Sequence, residues 1–405
     1  MAKNKDLQQS HPNQSTNAIV GFPVYAVEYL PYSREIIVAG GGGSTRSGVL
    51  NGISLYRITK HNSLAKTAFF STGIGAVMAM QPSTLNSLDF LAAINSQLCL
   101  YGRVKNELIC KKRAQLEISG VDGYIKCVSQ QGSQCAAGTN DGKVHIFRFP
   151  SLIKLTNGIV ETEGEVEDVL LGAATGERVF ILTKNQILMH RIEKQTIDFA
   201  GAISIRPPRE EHHFRCIGQL STGNLIVAIN GRDRKSAFLC LYTQELEFLR
   251  CIQCFNKPIT SISISFDQTT VAFGTSDGSL GVVNVEEWSV KCMFREVHDF
   301  AITGVAIDNG GKNVFACSPN GKLNWSQTQM DSVKRACGLL KSLAFIMGII
   351  AISLSGTYLA HGFSKAFVPL IGFASLVAFK SKSLALILLL VLLFTYWILS
   401  QKTQW

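Results

Sequence analysis

The sequence predicts an all-β fold, a seven-bladed β-propeller of WD-repeat type followed by one or more C-terminal transmembrane helices. Three observations carry that expectation: a two-strand pattern that recurs seven times, tight-turn residues at matching places in several copies, and a long apolar tail after the last copy.

The recurring pattern is an apolar strand, a small or polar turn, and a second apolar strand. It occurs as EIIVAG...GISLYRI, FLAAINSQLCLYG, CAAGTNDGKVHIFRF, VFILTKNQILMHRI, LIVAINGRDRKSAFLCLY, VAFGTSDGSLGVVNV and VFACSPNGKLNWS. Counted from Ile36, Phe90, Cys135, Val179, Leu225, Val271 and Val314, the separations are 54, 45, 44, 46, 46 and 43 residues. A period near 40 to 45 marks four-stranded propeller blades. Asn140-Asp141-Gly142, Ser276-Asp277-Gly278 and Pro319-Asn320-Gly321 read as tight hairpin turns, because Asn-Gly and Asp-Gly tolerate the positive φ such turns require.

Ahead of the copies lie alternating runs that fit the innermost strand of a blade: VYAVEYL, GAVMAM, YIKCVS, FRCIGQL, ITSISISF and ITGVAI. LAKTAFFST and VKCMFRE fit the outermost strand, and His298-Asp299 with Trp288 resemble worn WD-repeat marks. The seventh copy lacks an outer strand, so either residues near Thr16 to Val20 or residues near Val333 close the ring and remove its open sheet edge. The expected organisation is a flexible N-terminus (1–17), the propeller (18–332), a basic juxtamembrane segment (333–341), a transmembrane helix (342–360) and further apolar membrane segments (366–400).

With 46% hydrophobic and only 17% charged residues, part of the 405-residue chain is expected to meet lipid. Ser342 to Ala360 runs 19 residues without a charge, close to the roughly 20 that span a bilayer as a helix. Ala366 to Phe379 and Leu384 to Ser400 are shorter, so one, two or three crossings all fit. The polar N-terminus has no apolar signal core, and Lys334, Arg335 and Lys341 precede the first span, which places the propeller on the cytosolic side.

The net charge of +10 invites a nucleic-acid reading. Residues 331 to 405 hold seven Lys and Arg against the single acid Asp331, so +6 belongs to the tail, where basic residues meet anionic headgroups. No nucleic-acid partner is expected, and membrane lipid is. The eleven cysteines lie mostly in apolar strand-like runs, Cys99, Cys127, Cys135, Cys240 and Cys317 among them, and read as buried free thiols in a reducing compartment. Cys251 and Cys254 have CxxC spacing without a second pair, which is weak evidence for zinc.

The first separation exceeds the others by about nine residues, and much of the excess is the run Gly40-Gly41-Gly42-Gly43-Ser44-Thr45-Arg46-Ser47-Gly48-Val49-Leu50-Asn51. This hairpin loop should emerge on the face that carries the blade-to-blade connections, where propellers bind partners. Four glycines in a row are expensive to order. Three readings compete. A phosphate cradle lacks its lysine, since Val49, Leu50 and Asn51 follow Gly48. A plain flexible linker fits the composition. Converging backbone carbonyls suit a weakly hydrated monovalent cation such as potassium, because the loop has no Asp or Glu for calcium or magnesium.

Gly21-Phe22-Pro23-Val24-Tyr25-Ala26, then Val38-Ala39-Gly40-Gly41-Gly42-Gly43, then Gly48 and Asn51, resemble the start of the endoplasmic-reticulum exchange factors for the COPII GTPase, called in animals the prolactin regulatory element-binding protein family. The motif covers about 40 residues, and beyond it the likeness is one of architecture, a propeller before a C-terminal span. The resemblance implies that the loop binds potassium (Gly40, Gly41, Gly42, Gly43, Gly48 and Asn51) and presses on the GTPase, with Asn51 the position carried over most clearly and Val49 a matching aliphatic position. It also implies residence in the endoplasmic reticulum membrane, a role in vesicle coat assembly for transport to the Golgi, and a regulatory factor rather than an enzyme. The tail departs from the family, being apolar almost to Trp405 with no room for a lumenal domain.

Exchange requires no nucleophile or general base, only tighter binding of the nucleotide-free GTPase. The alternative is a membrane-tethered propeller that assists cargo exit without exchange, since a fold alone does not dictate activity. DNA binding is the weakest reading, because the tail ties the chain to a membrane.

Overall fold

A computed structural model describes residues 16–328, apart from positions 31, 44–47, 62, 74, 87, 105–106, 121, 173–176 and 194–195. The segments read from the sequence as juxtamembrane (333–341) and membrane-embedded (342–360 and 366–400) lie outside the described residues. The described residues form seven antiparallel sheets of four strands, each sheet one blade.

After an N-terminal strand β1 (Thr16–Ile19), blade one consists of β2 (Val24–Leu30), β3 (Glu35–Gly41), β4 (Asn51–Ile58) and β5 (Leu64–Ser71), in that spatial order. The second strand, EIIVAGG, is buried along its whole length, while the outermost, LAKTAFFS, is half-buried or exposed. Burial grades outward because each middle strand is covered on both faces by neighbouring blades. Seven apolar clusters occupy the seven seams. Between blades one and two, Ile37, Ala39, Ile53 and Leu55 meet Met80, Phe90, Ala92 and Cys99. At the closing seam, Val27, Val38 and Tyr56 meet Phe315, Leu323 and Trp325.

Of the two candidates for closing the ring, the structure uses the N-terminal one. Strand β1 is the outer strand of blade seven and pairs antiparallel with Lys322–Gln327, Thr16 facing Trp325 and Ile19 facing Lys322. The ring therefore begins two residues inside the segment read from sequence as the flexible N-terminus. The three expected tight turns carry positive φ at their glycines, +84° at Gly142, +79° at Gly278 and +73° at Gly321. His298 is buried in the connection into blade seven, its Nε2 3.0 Å from the Ala316 carbonyl.

Two expectations need correction. The inner strand of blade four, Val166–Gly172, escapes the sequence pattern because it reads VEDVLLG, with two acids where apolar residues belong. Cys240 and Cys251, expected as free thiols, lie directly opposite on adjacent strands of blade five and are disulfide-bonded, with Cα atoms 4.0 Å apart. Register alone brings them together. Cys99, Cys127, Cys135 and Cys317 are buried free thiols as expected, and Cys254 is free and buried.

Six inner strands share an irregularity near the start, where one residue is skipped in the pairing with the second strand. The skipped residues are Tyr25, Met78, Lys126, Glu167, Arg215 and Thr260, and all of them line the central channel. A bulge re-aims its side chain. Repeated around the ring, it directs one residue per blade toward the axis.

Candidate functional site

In each blade the turn between second and third strands leaves on the face that also carries the connections between blades, here called the upper face. The glycine-rich segment of blade one is such a turn. Gly40 and Gly41 do not belong to the loop proper but end β3: Gly40 pairs with Val24 and Gly52, and Gly41 with Asn51. Both positions exclude any larger residue. A Cβ on Gly40 would sit 2.0 Å from the Pro23 carbonyl oxygen, and one on Gly41, at φ +138°, would sit 2.1 Å from Asn51 Oδ1. The Gly41 N–H donates to the Pro23 carbonyl at 2.8 Å, tying the turn to the connection that enters the blade.

Asn51 opens β4 and its side chain is buried, 5% exposed. Its Oδ1 accepts from the Gly43 N–H at 2.8 Å, and its Nδ2 donates to the carbonyls of Gly43 at 2.9 Å and Gly73 at 3.0 Å. Its own carbonyl accepts from the Thr72 N–H at 3.1 Å. One side chain thus ties the glycine-rich turn to the connection between blades one and two. Beyond this clamp Gly48, Val49 and Leu50 are exposed, Val49 by 40% and Leu50 by 58%. Residues 44–47 lie outside the described residues.

The two residues singled out for contact therefore have different placements. Val49 stands on the surface beside Leu50, whereas Asn51 positions the loop from beneath. The sequence reading missed Gly73 and Thr72, whose only signal was the Thr-Gly and second Gly of residues 72–75. It also missed Leu50 as an exposed neighbour of Val49.

The donors described fit a potassium ion only in part. Gly40 and Gly41 are ladder residues, and the carbonyl of Gly43 takes the Asn51 amide. The Asn51 NH2 group, a dipole positive at its hydrogens, already lies between the carbonyls of Gly43 and Gly73. No ring of converging carbonyls is assembled by the described residues.

The channel carries a cluster of paired charges. Glu167, buried, pairs with Lys126 at 3.0 Å, with Arg215 and with Lys184 at 3.7 Å. Burial alone would raise its pKa, but the cations, Arg215 first, outweigh that and hold it below the usual carboxylate value. Burial raises Asp168 to about 6 against the opposing N–H bonds from Ile217 and Val169, and raises Glu28 to about 8. Lys126, Glu167, Asp168 and Arg215 bridge the inner strands of blades three, four and five, while Glu28 stands on the inner strand of blade one. Among the described residues no group of three or more His, Cys, Asp and Glu gathers in a way that would hold a metal.

No family model matches the chain. The chain is similar to the guanine nucleotide-exchange factor SEC12 of Mus musculus, with 22% identity over 343 residues that cover 70% of this chain and 81% of the relative. Among solved structures it is similar to the WD40 β-propeller domain of Doa1, with a TM-score of 0.60 and 12% identity over 79% of this chain and 97% of that domain. The second likeness carries the fold alone. The first bears out the resemblance drawn from the opening residues of blade one.

Proposed function

We propose that this chain, a relative of the SEC12-type WD-repeat exchange factors, is itself a guanine-nucleotide exchange factor and acts on a small GTPase of the COPII coat through the turn at residues 42–50. The observation that carries the reading is the Asn51 clamp. It holds a glycine-rich turn at both its own base and the neighbouring connection, and sets two aliphatic side chains, Val49 and Leu50, in solvent at its end.

An exchange factor works by binding the nucleotide-free GTPase better than the loaded one, which by linkage loosens the nucleotide by the same factor. GTPase switch loops are held by phosphate and magnesium contacts, so they are the bistable element an intruding apolar turn would bias. A turn already fixed in place loses less freedom on docking than a slack one, and the clamp supplies that rigidity. The residues of this chain hold and present; no proton or bond changes hands.

The apolar tail would keep the factor in the endoplasmic reticulum membrane with its propeller in the cytosol, so that GTPase loading and coat assembly begin on that membrane. Potassium at the loop is a separate proposal that rests on the glycine run and the family resemblance. Exchanging potassium for sodium tests it alone, and an equal rate in both removes the ion while leaving the exchange reading in place.

The deciding experiment measures release of a fluorescent GDP analogue from the purified GTPase with the full chain in detergent or vesicles. Acceleration supports the proposal. If release does not change while the chain still recovers secretory cargo in pull-downs, the non-catalytic tethered scaffold replaces it.

A further inference from the structure

The face opposite the glycine-rich turn holds the turns between first and second strands. On one arc of that face, apolar side chains stand at the turn tips: Phe266 on blade six, Tyr32 on blade one, and Leu85 with Leu88 on blade two. Phe266 and Tyr32 are about two-thirds exposed. Single exposed apolar residues are ordinary, but here four occupy the same turn in three of four consecutive blades. The remaining blade of the arc, blade seven, presents Lys312, and blade one adds Arg34, both exposed.

The last described strand, Lys322–Gln327, runs toward this same face, because near its start Leu323 pairs with Cys317 at the upper face and its last residue, Gln327, pairs with Asn313 at the lower. The chain therefore leaves the ring at Thr328 on the lower face, from blade seven, the middle of the arc. Thirteen residues, 329–341, separate that exit from the uncharged run at Ser342. Fully extended they reach at most about 45 Å, and they carry Lys334, Arg335 and Lys341.

We infer that this arc of the lower face, Tyr32, Leu85, Leu88 and Phe266 with Arg34 and Lys312, rests on an anionic lipid surface. The inference rests on the reading of the tail as membrane-embedded and adds an orientation to it. Aromatic and aliphatic tips backed by cations suit the headgroup boundary, where apolar burial and attraction to anionic lipid act together. At the blade-six end of the arc, the turns between third and fourth strands of blades five and six bear Glu245, Glu247, Glu286 and Glu287. Those acids would be repelled, so the ring should tilt with blades seven, one and two toward the bilayer. The turn at residues 42–50 then faces away from the lipid on the blade that lies nearest to it, in reach of a GTPase working at that membrane.

The test uses the full chain reconstituted in vesicles of phosphatidylcholine and phosphatidylserine, with and without lipids brominated on their acyl chains. Tyr32→Trp, Phe266→Trp and Leu50→Trp are compared by the emission each adds to the parent chain. The inference expects the added emission of Tyr32→Trp and Phe266→Trp to fall at least twofold with brominated lipid, and that of Leu50→Trp to stay within a tenth. Arg34→Glu with Lys312→Glu should weaken the quenching. Chains that float with vesicles yet show no quenching at Tyr32→Trp or Phe266→Trp overturn the orientation and leave the tail reading standing. Chains that do not float overturn both. A blue shift of Tyr32→Trp emission that appears in detergent and grows with protein concentration would assign the arc to a second copy of the chain and overturn lipid as its occupant.

Discussion

Replacing Asn51 by alanine removes three hydrogen bonds at once: Gly43 N–H to Oδ1, and Nδ2 to the carbonyls of Gly43 and Gly73. Each net bond contributes roughly 0.5–1.5 kcal/mol. The partners Gly43 and Gly73 lie near solvent, so water recovers part of the loss, and a total of about 2–3 kcal/mol is expected. At about 1.4 kcal/mol per tenfold, the ratio of clamped to released turn falls by roughly 30- to 150-fold. We expect exchange to slow by tenfold or more and amide hydrogen exchange across residues 42–50 and 72–76 to accelerate. The propeller as a whole should survive. With about 2.1 cal/mol/K of unfolding entropy per residue, its Tm should drop only about 3–5 °C. Asn51→Asp sharpens the test. The carboxylate keeps the Gly43 N–H bond but turns a second oxygen toward two carbonyl oxygens, so its exchange rate should lie below that of Asn51→Ala. Nucleotide-release rates within twofold of the parent for both variants would refute the clamp as the basis of activity, as would a more active Asn51→Asp in buffer free of added metal.

Gly41→Ala should reproduce the Asn51→Ala phenotype, because the added Cβ falls 2.1 Å from Asn51 Oδ1 at a φ of +138°; parent-like release kinetics would contradict this. Val49→Asp with Leu50→Asp should abolish GTPase binding in titration calorimetry while leaving Tm within about 1 °C, since surface changes away from special features cost little. Glu35, fully buried between Arg57 and Arg103, links blades one and two; Glu35→Ala removes the carboxylate that both guanidinium groups share and should cost about 3–5 kcal/mol, seen as a Tm lower by about 5–8 °C. Glu28, raised by burial to about 8, holds its proton in the folded state beyond the pH at which the unfolded chain releases it. Its contribution is full below about 4.5 and is lost as pH rises to about 8, so Tm should decline from pH 6 to pH 9 and Glu28→Gln should flatten that slope.

Much of the ring was legible in the chain because its cues are local. Strand alternation, Asn-Gly and Asp-Gly turns and a period near 45 residues act over a few neighbours, and Gly142, Gly278 and Gly321 adopt the positive φ their turns foretold. The length and composition of the blade-one turn were equally plain, and so was the break in period that drew attention to it. Blade four was harder to read. Glu167 and Asp168 look wrong for an inner strand until Lys126, Lys184 and Arg215 are placed around Glu167, and the N–H groups of Val169 in the same strand and Ile217 in blade five are placed on Asp168.

What tertiary structure alone decided are pairings between distant residues. Strand β1 closes a sheet with residues about 300 positions away, and Cys240 meets Cys251 through strand register. Asn51 reaches Gly73 across two strands and so becomes the buried support of the turn, with Val49 and Leu50 in front. Sequence patterns report each residue's preference for a local backbone shape and for burial. Which buried polar group satisfies which is determined only when the blades pack, because hydrogen-bond partners are set by position in space and not by order along the chain.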